Sequence, residues 1–111
     1  IMEQVVGQTL LAKGLRQKIE LAYWSRDRAE GIAEVDFAWS WKNKIVGLEV
    51  KSGNTREMKS LFSMLDRGGK QILPIRVSWD NLGIETYVHS GKKYEILLLP
   101  FYLVERWDTL T

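Results

Sequence analysis

Cysteine is absent from the 111 residues. That excludes a disulfide framework, a zinc–thiolate site and thiol catalysis. The absence fits a reducing compartment, so a cytoplasmic location is the expectation. Histidine occurs once, at His89, and proline only twice. No histidine–nucleophile arrangement can be built near the acids. No apolar run approaches the roughly 18 residues of a membrane span, so no membrane partner is expected. Charge of one sign is scarce too. The net charge of +2 leaves no strong electrostatic footprint and neither demands nor excludes a nucleic-acid partner. Residues 1–15 are amphipathic, without the pattern of a signal peptide. They enter a helical pattern at once, as expected of a piece cut from a longer protein.

What is present is enough for one domain with a real core: 45% of the residues are apolar, and the length suits a single unit over 1–111. The most organised stretch is 33–53, AEVDFAWSWKNKIVGLEVKSG. Two runs alternate with period two around a polar turn at 40–44, the mark of a two-faced strand pair. Ala33, Val35, Phe37 and Trp39 share one face of the first run; Glu34 and Asp36 share the other. In the second run Val46, Leu48 and Val50 alternate with Gly47, Glu49 and Lys51. Packing the apolar faces together would turn Asp36, Glu49 and Lys51 the other way, onto one small patch. Two carboxylates there suit a hard cation such as Mg²⁺, which prefers oxygen ligands and keeps some water, and a nearby amine can steady developing negative charge. On spacing alone the plainer account, charges on the solvent face of a half-exposed hairpin, stands ahead, because such alternation is common.

Around the hairpin the pattern predicts a helix over 1–15, with Met2, Val5, Val6, Thr9 and Leu10 as its apolar stripe and Gly14 as its stop. A short strand is expected at 18–24, then a charged turn at 25–31. Asn54 and Glu57 have capping-box spacing ahead of a second helix with Met58, Leu61, Phe62 and Leu65 on one face, ended by Gly68 and Gly69. A strand follows at 71–78 with Leu73, Ile75 and Val77 on one side; Pro74 within it argues for an edge or a bulge. Strand, helix and strand in this order suggest a parallel crossover. Residues 84–89 and 94–99 read as a hairpin about Ser90–Gly91. FYLVERW after Pro100 is compatible with a strand or a short helix. A single core of Val35, Phe37, Val46, Leu48, Val50, Leu61, Phe62, Leu65, Leu73 and Ile75 is expected.

The stretch EVDF, a turn, then GLEVKSG resembles the core motif of the PD-(D/E)XK nuclease superfamily. More narrowly, the chain resembles the nuclease-like domain that follows the ATPase domain in many bacterial and archaeal AAA-type ATPases. EQVVGQTLLAKG, a YW before the acidic strand, SLF, PIRVS and LLLPFYLVE extend that resemblance over most of the chain. It implies an α/β fold with a restriction-endonuclease-like core, in helix–three strands–helix–strand order, and a C-terminal hairpin extension. It also implies Asp36 and Glu49 as ligands of Mg²⁺ or Mn²⁺, Lys51 as catalytic lysine, and Glu3 of the opening helix as a further ligand; Glu3 reads equally well as an ordinary exposed helix carboxylate. The implied activity is metal-dependent phosphodiester hydrolysis on DNA beside an ATPase domain of the same chain. The alternative is a non-catalytic nucleic-acid-binding, regulatory or dimerisation module. Lys42 and Lys44 beside Trp41, with Arg56 and Arg76, are the candidate phosphate contacts, although a solvated turn explains the lysines, a charged helix face Arg56, and pairing with Asp36 or Glu49 explains Arg76 as well. Trp39 is expected in the core. His89 is expected to be structural or exposed, and Glu34 a solvated neighbour of the acids.

Overall fold

The computed structural model describes residues 2–14, 34–51 and 58–110. The expected strand at 18–24, the YW, Arg56 and the Asn54–Glu57 capping box lie outside them. Helix α1 spans Met2–Ala12, β1 Phe37–Trp41, β2 Lys44–Val50 and α2 Lys59–Gly68; one 3₁₀ turn then leads into β3, Ile72–Ser78. Strands β4 (Gly83–His89) and β5 (Lys92–Pro100) form a hairpin, and two consecutive 3₁₀ turns, broken at Arg106, cover Phe101–Thr109. The architecture is mixed α/β, and its sheet has the order β1-β2-β3-β5-β4. Strands β2, β3 and β5 run parallel, while β1 and β4 are antiparallel edges.

Two departures from expectation concern the sheet. Strand β3 is not an edge but the central strand, and Pro74 pairs across from Gly47. Proline is tolerated because the ladder to β5 begins only at Ile75, so the lower half of β3 has a sheet neighbour on one side only. The hairpin is also no appendage, since β5 inserts beside β3 and pushes β4 outward.

The core is double. Phe37, Trp39, Val46, Leu48, Val50, Ile75 and Val77 face α1 and the C-terminal 3₁₀ segment, meeting Val6, Leu10, Val104 and Trp107. Val35, Ala38, Ile45 and Ile72 face α2, meeting Met58, Leu61, Met64 and Leu65. The single core expected from the sequence is therefore split by the sheet, with Leu61 and Leu65 on the side away from Leu48. Val35 does not share the face of Phe37, because the chain bends at 35–36 and strand β1 starts only at Phe37. In α1, Val6 and Leu10 are buried but Val5 is 40% exposed, so the stripe is narrower than the spacing implied. Phe62 is only partly buried and stacks flat on His89, with ring centroids 4.5 Å apart. Trp39 is buried as expected and meets the ring of Trp107 edge-on at 5.0 Å.

The face of β2 that carries Gly47 and Glu49 is thus not open to solvent. Helix α2 lies on it so closely that a Cβ at Gly47 would stand 2.3 Å from the sulfur of Met64. A side chain at this position would have to displace the end of Met64. Covering that face is what removes Glu49 from bulk water.

Candidate functional site

The carboxyl ends of the three parallel strands meet at one end of the sheet, where clefts of open α/β sheets form. Asp36 sits just before β1, opposite that end of β2. Its Oδ2 accepts a 2.8 Å hydrogen bond from the backbone N–H of Val50. Asp36 is anchored by the main chain of the strand that carries Glu49, and the two carboxyl groups are hydrogen-bonding neighbours. Glu49 is half-buried under the start of α2, whose Ser60 hydroxyl donates to it. Burial, and then the contact with Asp36 and its charge, push the Glu49 carboxyl up to about 8 from the ordinary 4.5. Two adjacent carboxylates cannot both ionise cheaply in a partly desolvated place.

Glu3, in the first turn of α1, comes to Asp36 from the other face of the sheet. The negative charge of Asp36, ahead of burial, raises its carboxyl as well. The three acids form a chain, Glu3 to Asp36 to Glu49, rather than a ring. Among the described residues no three acidic or histidine side chains group tightly enough to hold an ion by themselves. A cleft of roughly 450 Å³ runs along α1 from Glu3, past Gly7 to Leu11, with Phe37 as part of its wall.

Lys51 follows β2 directly, and its N–H donates to the carbonyl of Val77, extending the ladder by one residue. By strand alternation it shares the face of Glu49. Its amine, however, forms a loose 3.7 Å ion pair with Asp80, beyond the end of β3, rather than with Asp36 or Glu49. Asp80 also holds the Ser78 hydroxyl at 3.3 Å. Arg76 lies beside Glu49 in register, is buried, and reaches the hydroxyl of Tyr87 on β4.

The remaining candidates lie elsewhere. Lys42 and Lys44 flank the β1–β2 turn, at the opposite end of β2 from Glu49; a seven-residue strand puts about 20 Å between the ends. Lys42 covers the Trp41 ring at 4.6 Å, and the Lys44 amine donates to the carbonyl of Lys70. Glu34 is exposed but pairs with Arg67 of α2 at 3.3 Å. His89 contacts Asp66 through Nε2 at 3.1 Å, and the Tyr94 hydroxyl donates to the same carboxylate.

Sequence reasoning brought Asp36, Glu49 and Glu3 together. It missed Ser60 and Asp80, whose only signals are their places in the first turn of α2 and just past the end of β3.

No curated protein and no solved structure matches the chain. A family model described as a domain of unknown function, DUF4143, matches residues 1–69, which include Glu3, Asp36, Glu49 and Lys51. A match over more than half of the length shows the family: the chain belongs to the DUF4143 domain family.

Proposed function

We propose that the domain is a metal-dependent phosphodiester hydrolase of the PD-(D/E)XK type, acting on DNA. The observation that carries this reading is the contact between Asp36 and Glu49 at the carboxyl end of β2, with Lys51 two residues beyond. The donor set fits a hard divalent cation: both groups are oxygen donors, they repel each other when ionised, and a cation relieves that repulsion. Asp36 and Glu49 would hold Mg²⁺ or Mn²⁺, with water completing the shell. Glu3 adds negative charge through Asp36. When bound, the ion supplies a more acidic water and a polarised phosphoryl oxygen.

The residues of the chain do the rest. The Val50 N–H fixes the rotamer of Asp36, and Ser60 orients Glu49. In hydrolysis the water oxygen bonds to phosphorus, the ester P–O bond breaks, and the departing oxygen takes up a proton. Lys51, freed from its loose pair with Asp80, would balance the charge that grows on the phosphoryl oxygens. An ATPase domain elsewhere in a longer chain would bring the nucleic acid to the site.

The test is nicking of supercoiled plasmid with Mg²⁺ or Mn²⁺. Wild type should nick. Lys51→Ala should bind the metal and fail to nick, while Asp36→Ala should lose both. Equal nicking by wild type and Lys51→Ala would exclude this site. Absence of nicking by wild type with either metal, tested in the full-length protein, would instead favour the non-catalytic module.

A further inference from the structure

Among the described residues, no strand lies beyond the outer edge of β4. Natural edge strands are usually blunted by charged side chains, lysine above all, by proline or by a bulge. Strand β4, Gly-Ile-Glu-Thr-Tyr-Val-His, has no lysine or proline and one acid, Glu85, and its register against β5 runs unbroken from Gly83 to His89. It also displays large apolar side chains: Ile84 is 66% exposed and Val88 is 70% exposed.

The hairpin geometry decides which backbone groups face outward. Ser90 and Gly91 have φ of 52° and 76°, the two positive values of a type I′ turn, which closes a two-residue hairpin. The pair flanking such a turn, His89 and Lys92, exchanges both of its hydrogen bonds. Bonded and non-bonded pairs then alternate along the antiparallel ladder. Gly83, Glu85, Tyr87 and His89 spend their N–H and C=O groups on β5. Ile84, Thr86 and Val88 point theirs away from the sheet.

We propose that two copies of the chain join through this edge, antiparallel and centred on Thr86, into one continuous sheet that holds the five described strands of each. The centre is set by the sequence. A two-fold axis at Thr86 places Thr86 opposite itself and Ile84 opposite Val88, so each outward-pointing residue meets another, and each pair exchanges two hydrogen bonds. Opposed residues in a sheet share a face, so the two exposed aliphatic side chains cover each other twice. On the other face Glu85 meets Tyr87 rather than a second carboxylate, which avoids like charges directly across the ladder. A one-residue slip between the two strands would set outward-pointing against inward-pointing backbone groups. A two-residue slip, with the axis at Glu85 or Tyr87, would keep the ladder but lose the Ile84–Val88 pairing, and at Glu85 would oppose two carboxylates. The contact is isologous and closed, and so ends at two copies.

The absence of cysteine makes the register directly testable. Thr86→Cys should oxidise to a covalent dimer far faster than Tyr102→Cys, whose position is also exposed, at 68%. Opposed residues in a hydrogen-bonded antiparallel pair stand about 5.5 Å apart at Cα, within disulfide reach. Light scattering over a range of micromolar concentrations should find wild type moving toward twice its 12.9 kDa chain mass. Thr86→Pro removes only an outward-facing N–H, and should keep the circular dichroism spectrum while weakening the dimer at least tenfold. Val88→Lys should do the same, and serves if Thr86→Pro fails to fold. A wild type that stays monomeric at every concentration would overturn self-pairing and leave the edge to a strand of another protein. A dimer that survives Thr86→Pro or Val88→Lys, or cross-linking at Thr86 no faster than at Tyr102, would overturn it too.

Discussion

Glu49→Gln should stabilise the metal-free domain at alkaline pH and flatten its stability profile. In the folded chain the Glu49 carboxyl lies at about 8, against an ordinary 4.5. Between those values the folded state keeps a proton that the unfolded chain has released. Stability therefore falls as pH rises through this window, since it increases with pH only where the unfolded state binds more protons. The contribution is complete below about pH 4.5 and gone above about 8. Taken whole, the displacement corresponds to roughly 5 kcal/mol. Glu49 is only half-buried, and solvent screening brings the expected effect down to about 1–2 kcal/mol. Glutamine cannot ionise, yet it can donate to Asp36 and accept from Ser60. The assay is urea unfolding in chelator at pH 5 and pH 8.5, for wild type and variant. The variant should match wild type at pH 5 and exceed it at pH 8.5. An identical loss of stability in both proteins would refute the assignment of the alkaline slope to this carboxyl.

Two further predictions follow from the same geometry. Divalent cation should raise the melting temperature of wild type more at pH 8 than at pH 6, because ligation requires the ionised Glu49 and the gain follows mass action; an equal gain in Asp36→Ala would place the ion elsewhere. Leu48→Ala, at a fully buried position, should cost about 2–5 kcal/mol through lost burial and the cavity left behind, read as a lowered urea midpoint with an unchanged slope.

The sequence made the strand pair, the second helix and the final hairpin legible, because each carries a strong period or a turn with characteristic chemistry. It also marked the acids, through the parity that turns Asp36 and Glu49 away from Leu48. It misjudged what covers them. Alternation of Val46, Leu48 and Val50 with Gly47, Glu49 and Lys51 is the pattern of a half-exposed strand. In β2, however, the second face is Ile45, a bare backbone at Gly47, and then Glu49, all beneath α2. Glycine contributes no apolar side chain to the count, so a buried face looked like an open one. Pro74 misled for a related reason: its exclusion from central strands holds where both neighbours are present, and local pairing on one side cannot be seen in a linear pattern. The position of β5 between β3 and β4 is a long-range choice with no local mark. Lys42 and Lys44, expected at the hairpin tip beside Trp41, do lie there, at the far end of the sheet from the acids.

The contact at Gly47 has a mechanical consequence. Helix α2 approaches the sheet there through the end of the Met64 side chain, laid against bare main chain. Helix α2 carries Ser60 toward Glu49 near one end and Asp66 toward His89 and Tyr94 near the other. Position 47 therefore works as a fulcrum. A methyl group there would push first on the flexible end of Met64, and the helix would shift, moving both neighbourhoods together, only to the extent that this side chain has no room to swing aside. One helix thus links the surroundings of the Glu49 carboxyl to those of Asp66, and it rests on the sheet at Gly47 through the end of a single methionine.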